Sequence, residues 1–184
     1  TDHHGDPFSN SDLNGRWHLV SYGFTTCPDV CPATLAELAG FRSQLAPELR
    51  RDLQVLFYSV DHRRDTPAQM ASYVAFFDPS FTGLTATDGG EAGAAAFASS
   101  LGIMSVLEPA EGTTLEDGDY EVGHGVSLLL LNPEGKLQAV LEPGRVDAQG
   151  FPGFDIATLV RDYTAIRTHL SDTGKANPAR GQDV

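Results

Sequence analysis

Two cysteines separated by three residues are the first feature of this 184-residue chain that could do chemistry. Cys27 and Cys31 lie where an apolar segment ends and a stretch with helical spacing begins. The free amides and the dipole of a helix N-terminus favour an anion, so a thiol placed there has a lowered pKa. The i, i+4 spacing lets both sulfurs face one point. Two converging thiolates suit a soft metal such as Cu(I), or a reversible disulfide.

Three other roles for this cysteine pair agree less well with the sequence. A structural disulfide across three residues would close a very small loop and stabilise almost nothing. Buried cysteines can act as small hydrophobes, but the flanking Pro28, Asp29 and Pro32 are typical of a tight exposed turn. A structural zinc site takes four protein ligands, and the chain has no second cysteine pair.

The elements that must position these cysteines can be predicted from the apolar periodicity. A strand over 16–24, a helix over 32–46 and a strand over 53–61 form a βαβ unit with a right-handed crossover. A capping box predicts a helix that begins at Thr66-Pro67, and an alanine-rich helix follows over 91–101. A β-hairpin over 126–142 turns at Asn132-Pro133-Glu134-Gly135, and Asp155 caps a last helix. This order predicts an α/β, thioredoxin-like fold: a central mixed β-sheet flanked by helices, with an insertion and a C-terminal β-hairpin plus helix.

Composition restricts both the domain organisation and the partners. We expect a flexible leader over 1–12, one domain over 13–170 and a flexible tail over 171–184. The 12 basic and 25 acidic residues give a net charge of −13. Nucleic acid and anionic membranes require a basic surface, so neither is expected as a partner. No apolar run is long enough to span a bilayer. The chain begins with Thr1, so we expect a mature or trimmed end, with any anchor upstream.

Several separated motifs resemble the Sco (SenC) family of copper chaperones, which have a thioredoxin-like fold. The resemblance covers about residues 13–145. Its motifs are Leu13-Asn14-Gly15-Arg16-Trp17, Tyr22 to Pro32, Val60-Asp61, Arg64-Asp65-Thr66-Pro67, Phe81 to Thr85, Asp119 to His124, and Asn132 to Gly135. In that family two cysteines and a distant histidine bind one copper ion. The resemblance assigns these roles to Cys27, Cys31 and His124.

Three positions near this implied copper site require separate interpretation. His124 lies between two glycines before a strand, so we expect a loop to present its ring. The family usually has Asp where this chain has Gly123, and Asp-Pro where it has Asp61-His62. Asp61 is a candidate neighbour of the cysteines or a turn aspartate, and His62 is an additional ligand or a solvated turn residue.

Acidic residues and the first three residues raise two further possibilities. The segment 108–121 carries six acidic residues and no basic one. It is interpreted as a solvated loop or as a docking loop beside His124, and Asp29 could extend its acidic rim. Thr1-Asp2-His3 could chelate Cu(II) through amine, amide and imidazole nitrogens if that amine is native.

The resemblance implies a metallochaperone rather than an enzyme. It would carry Cu(I) or Cu(II) to the copper-bearing subunit of cytochrome c oxidase, at the binuclear centre, and could receive it from another periplasmic copper chaperone. The alternative is a thiol–disulfide reductase in which Cys27 and Cys31 are the redox-active catalytic pair. Dedicated oxidoreductases of this fold prefer Cys-x-x-Cys, and a peroxidase would need neither Cys31 nor His124. The expected location is the periplasmic side of a bacterial inner membrane, with the mitochondrial intermembrane space as the alternative.

Overall fold

The computed structural model describes residues 1–87 and 89–175, and it contains five α-helices and nine strands within those ranges. The first half comprises β1 (Trp17–Gly23), α1 (Val30–Gln44), α2 (Pro47–Arg51), β2 (Leu53–Ser59), α3 (Pro67–Phe77) and β3 (Thr82–Leu84). The second half comprises α4 (Glu91–Ser100), β4 (Ser105–Pro109), β5 (Tyr120–His124), β6 (Leu128–Leu131), β7 (Leu137–Leu141), β8 (Arg145–Val146), β9 (Pro152–Gly153) and α5 (Ile156–Lys175).

A five-stranded mixed sheet forms the centre, in the order β3-β2-β1-β6-β7. The strands β1, β2 and β3 are parallel, whereas β6 and β7 pair antiparallel. The parallel register aligns Trp17 with Leu53 and Gly23 with Ser59, so β1 and β2 end together. The mixed α/β fold with helices around a central sheet is therefore confirmed.

Alternating side chains of the strands form two apolar layers, because successive residues of a strand face opposite sides. Leu19, Phe57 and Leu130 pack with α1, α3 and α5 on one side. Val20, Tyr58 and Leu129 lie on the other side, where α4 packs through Ala94 and Phe97. This arrangement places the carboxyl ends of β1 and β2 side by side at one end of the sheet, where the cysteine turn begins.

Several short elements differ from the sequence prediction. The segment 108–121, expected to be a loop, is mostly the connection of a separate hairpin in which β4 pairs with β5, and only its two ends are strand residues. The side chains of β4 are mostly exposed, and β5 alternates only through Tyr120 and Val122, so the apolar pattern of these two strands is weak. The helix α2 and the strands β3, β8 and β9 are each five residues or fewer, which is too short for a periodic signal.

The segment predicted as a flexible leader makes specific contacts with the β3 edge. Asp2 forms an isolated bridge with Leu84, and Phe8 packs on the α4 side of the sheet. These contacts cover an otherwise unpaired strand edge. At the other end, α5 continues to Lys175, five residues into the predicted tail, and 176–184 lie outside the described residues. The division at residues 12 and 170 remains a prediction. None of the helices described is both long and apolar enough to cross a bilayer.

Stability is expected to fall in mild acid because of His18 in β1. This residue is 2% exposed, and its Nδ1 has no hydrogen-bond partner among the described residues. Burial, assisted by the nearby charge of Arg16, lowers the pKa of His18 from 6.5 to about 4. The unfolded chain therefore takes up the proton first, and stability present above pH 6.5 is lost as the pH falls toward 4. Between pH 7 and 5 this loss is about 2 kcal/mol.

The measurement is urea unfolding of the wild type and of His18→Leu at both pH values. The variant should lose less stability than the wild type over this range, by about the amount assigned to the histidine. Equal losses in the two proteins would contradict the assignment.

Candidate metal centre

The cysteine turn follows β1 directly and leads into α1. The backbone N–H of Cys27 donates to the carbonyl of Phe24. The helix begins at Val30, two residues earlier than predicted, so Cys31 lies in its first turn and Cys27 precedes it. Cys31 is 3% exposed and Cys27 is half-buried; both are free thiols. The two sulfurs converge because the turn folds back on the helix.

Gly23 at the end of β1 makes room for the buried sulfur. A β-carbon at this position would lie 2.5 Å from Cys31 Sγ. That approach is far closer than nonbonded atoms tolerate, so any side chain here would displace the sulfur. The sequence alone indicates no role for Gly23, although this residue lies four positions before Cys27.

His124 comes from β5, about ninety residues later in the chain. It is the last residue of that strand rather than a loop residue. Its Nδ1 lies 2.7 Å from the carbonyl oxygen of Gly125. A carbonyl can only accept, so Nδ1 carries the proton and Nε2 keeps its lone pair. Nε2 lies 3.7 Å from Cys31 Sγ, which directs the free lone pair toward the cysteines.

Aromatic rings hold the imidazole of His124 on two sides. Tyr22 and Phe24 each meet it edge-to-face, at centroid distances of 5.9 and 5.7 Å. The backbone carbonyl of Gly125 fixes the tautomer that a carboxylate usually sets in metal sites. The absence of Asp at position 123 therefore leaves the ring oriented, and Gly123 itself is exposed.

The Sγ atoms of Cys27 and Cys31 and a ring nitrogen of His124 all lie within 4.8 Å of one another. Two sulfurs and one imidazole form a soft donor set, which suits Cu(I) and can also hold Cu(II). The structure thus brings together the three residues that the resemblance implied.

The two thiols have opposite pKa shifts because they share one proton. The Cys31 side chain donates to Cys27, and this bond, helped by the backbone N–H groups of Cys31 and Asp29, lowers the pKa of Cys27 to about 4. The same donation, together with burial, raises the pKa of Cys31. The metal-free site therefore pairs a half-buried thiolate with a buried thiol. The thiolate is the reactive form of a cysteine, so we expect Cys27 to be the nucleophile of the pair.

Asp61 does not join the cysteines but anchors the strand that carries His124. Its carboxylate is fully buried and accepts a 2.6 Å hydrogen bond from the Tyr120 hydroxyl. Arg64 forms an ion pair with the same carboxylate and lies 4.0 Å from the centre of the Tyr120 ring. Tyr120 begins β5 and His124 ends it, so this cluster fixes the strand that presents the imidazole.

A second buried carboxylate, Asp65, anchors the cysteine turn. It accepts from the Thr25 N–H at 3.1 Å, the Thr25 hydroxyl at 2.5 Å and the Ser59 hydroxyl at 2.7 Å. Thr25 lies two residues before Cys27. In the sequence, Asp65 is visible only as part of a motif beside a helix cap, because nothing local shows that its side chain reaches Thr25.

The remaining candidates lie outside the group of three ligand atoms. Asp29 is exposed at the N-terminus of α1, and its role as a docking residue stays a prediction. His62 is occupied elsewhere: its Nδ1 accepts from the Ala86 N–H and its Nε2 contacts the Tyr58 hydroxyl. The amine of Thr1 donates to the Thr85 carbonyl. His3 Nδ1 accepts from the Gly83 N–H, so these nitrogens are not free to chelate copper together.

The fold and the site together define a thioredoxin-like protein with a Cys₂His centre at the start of its first long helix. Residues 1–151 match the SCO1/SenC family. A protein of Stutzerimonas stutzeri is 39% identical over 137 residues, covering 74% of this chain and 63% of that protein. The mitochondrial SCO2 homolog of Mus musculus is 39% identical over 136 residues, covering 73% and 50%. The chain belongs to the SCO1/SenC family.

Structural similarity agrees with this family assignment. The crystal structure of Arabidopsis thaliana ScoI with copper bound aligns with a TM-score of 0.74 and 27% identity, over 91% of this chain and 94% of that one. The chain spans about half to two thirds of the length of the two sequence relatives. The functions of those longer proteins are therefore only proposals for this chain.

Proposed function

We propose that this protein binds one copper ion through Cys27, Cys31 and His124 and passes it to a partner protein. The observation that carries the proposal is the convergence of two sulfurs and a free imidazole nitrogen within 4.8 Å. Support comes from the relatives, since the Stutzerimonas stutzeri protein is named for copper binding and the Arabidopsis ScoI structure contains copper.

Transfer of the copper would proceed by ligand exchange. Cys27 is the half-buried sulfur, so an incoming thiolate of the partner reaches the metal on its side and displaces it first. Cys31 and His124 then hold the ion until further partner ligands arrive. No general base is required, because the thiolates of the partner supply the donors.

The partner that the family supports is a cytochrome c oxidase under assembly, since one solved relative is described as a cytochrome c oxidase assembly protein of the Sco family. Within that assignment, the copper-bearing subunit is the acceptor we propose, and another periplasmic copper chaperone is the proposed donor. A position on the periplasmic side of a bacterial inner membrane follows from the same proposal.

A thiol–disulfide reductase is the second candidate, favoured by the asymmetry of the two sulfurs. The Cys27 thiolate would attack a disulfide of the partner, forming a mixed disulfide and releasing one partner thiol. Cys31 would then lose its proton and attack Cys27 Sγ, leaving an oxidised Cys27–Cys31 pair and a second released thiol. Both candidates use the same pair, and copper binding distinguishes them.

The experiment is an anaerobic titration of fully reduced protein with Cu(I) against a competing chromophoric chelator. We expect one tight equivalent, because the three ligand atoms already converge in the metal-free structure. Cu(I) also avoids the square-planar nitrogen sites that Cu(II) prefers. Failure of the protein to compete for Cu(I) would contradict the chaperone proposal. The thiol–disulfide reductase would then be the preferred function.

A further inference from the structure

The outer face of α3 is unusual for so acidic a chain. The helix Pro67–Phe77 contains no Asp, Glu, Lys or Arg, although 20% of the chain is charged. Surface helices normally place charged side chains opposite the core. The exposed positions here are instead Ala68, Gln69, Ser72, Ala75 and Phe76. This helix therefore presents a neutral and mostly apolar face to solvent.

A groove of about 690 Å³, here called the α3 groove, lies between this helix and the cysteine turn. Thr25 and Pro32 line one side, and α3 lines the other with Ala68, Gln69, Ser72, Tyr73, Phe76 and Phe77. Thr25 is two residues before Cys27, and Pro32 directly follows Cys31. The α3 groove is thus continuous with the surroundings of the two sulfurs, and no formally charged residue lines it.

Phe76 is the most exposed of the large apolar side chains in the described residues, at 83%. Its ring meets Phe77 edge-to-face at 5.1 Å. Single exposed apolar residues are common on protein surfaces, but this one borders an apolar groove beside a reactive thiol. Deeper in the groove, the Tyr73 hydroxyl oxygen is buried without a hydrogen-bond partner among the described residues. Covering this surface would bury a large apolar area.

We propose that the α3 groove receives an apolar side chain from the protein segment whose cysteine exchanges copper or a disulfide with Cys27. This inference rests on the proposed function and specifies its partner. A partner sulfur that reaches Cys27 brings the residues beside it over Thr25 and Pro32, where the groove begins. A charged side chain there would lose its hydration without gaining an ion pair. An apolar residue close to the partner cysteine is the chemistry that fits.

The test uses metal-free, reduced protein and two peptides, each joined through its single cysteine to thionitrobenzoate. In one peptide the cysteine is flanked by Leu and Phe, and in the other by Ser and Gln, with equal length and charge. Cys27 Sγ bonds to the peptide sulfur, the peptide–thionitrobenzoate bond breaks, and the coloured thiolate leaves with the electron pair. No other oxidant or reductant takes part, and the absorbance gives the rate.

We expect the wild type to react about tenfold faster with the apolar peptide, the factor expected for burying part of an aromatic side chain. With Phe76→Ser, the apolar peptide should react no faster than the polar peptide. The reaction rate of the polar peptide should be the same as with the wild type. Val140→Ser is the matched control, since Val140 is 48% exposed on β7 at the other edge of the sheet from β3. It should behave as wild type.

Equal wild-type rates for the two peptides would overturn the proposal. A parallel loss of both rates in Phe76→Ser would also overturn it, because that result indicates a damaged thiol rather than a lost contact. Phe76→Ser should keep wild-type Cu(I) affinity, since it removes no ligand. A wild type that binds no Cu(I) but prefers the apolar peptide contradicts the copper proposal alone, so the two failures are distinguishable.

Discussion

Replacing His124 with alanine is expected to weaken Cu(I) binding at least about 100-fold, because loss of a residue that only supports a metal ligand already costs about 10- to 100-fold. Its Nε2 is the only nitrogen of the three converging atoms and has its lone pair free. Cys27→Ala or Cys31→Ala should remove tight binding altogether, since one sulfur and one imidazole make a poor Cu(I) site. Competition with a Cu(I) chelator measures all three variants.

The reduction potential of the Cys27–Cys31 pair should change much less in His124→Ala, because the disulfide forms between the two sulfurs without the imidazole. His4→Ala is the control, as His4 is an exposed histidine in the segment before β1. It should retain wild-type affinity. An unchanged affinity in His124→Ala would refute the ligand assignment, and the reductase would become the preferred function.

Asp65→Asn is expected to lower the free energy of unfolding by about 3 kcal/mol, a typical value for losing hydrogen bonds to a buried charged group. The carboxylate is 0% exposed and faces three donors from Thr25 and Ser59. An amide of the same shape can place only one oxygen there, so its NH₂ group meets a donor. Denaturant unfolding of the metal-free protein measures the loss.

Cu(I) affinity should also fall in Asp65→Asn, since Thr25 holds the turn that carries Cys27. Asp162→Asn provides the control, because Asp162 is 41% exposed and forms its ion pair with the neighbouring Arg161. Thr25→Val completes a double-mutant cycle with Asp65→Asn. The two losses should be non-additive if the residues act through one shared contact. Fully additive losses, or a stable Asp65→Asn, would show that Asp65 does not anchor the turn.

The order of the large elements could be predicted from local patterns because each long helix buries one continuous face and the two central strands bury both of theirs. Leu35, Leu38 and Phe41 recur on the buried side of α1. The alternation in β1 and β2 likewise reports which side chains meet each helix layer. By contrast, β4 exposes most of its side chains, and β5 packs on the core only through Tyr120 and Val122. Backbone pairing leaves no apolar period in β4, and two apolar residues in β5 are too few to predict the hairpin.

Within the site, spacing alone placed the two cysteines at the strand–helix junction, and only the family resemblance singled out His124 among six histidines. The structure added the reason that this histidine can act, namely the Nδ1 bond to the Gly125 carbonyl and the approach of Nε2 to Cys31. A bond to a backbone carbonyl depends on a strand-end conformation, which residue types do not encode.

The sequence by itself determined the chemical class of this protein: an acidic α/β domain with a soft-metal or redox dithiol at the start of a helix. Only the tertiary structure decided what the buried carboxylates do. Asp61 could have turned toward the cysteines, yet it binds Tyr120 and Arg64. Asp65 reaches Thr25 in the cysteine turn that follows β1. The physical reason is that a buried polar group must find partners, and those partners are brought near by packing between segments far apart in the chain.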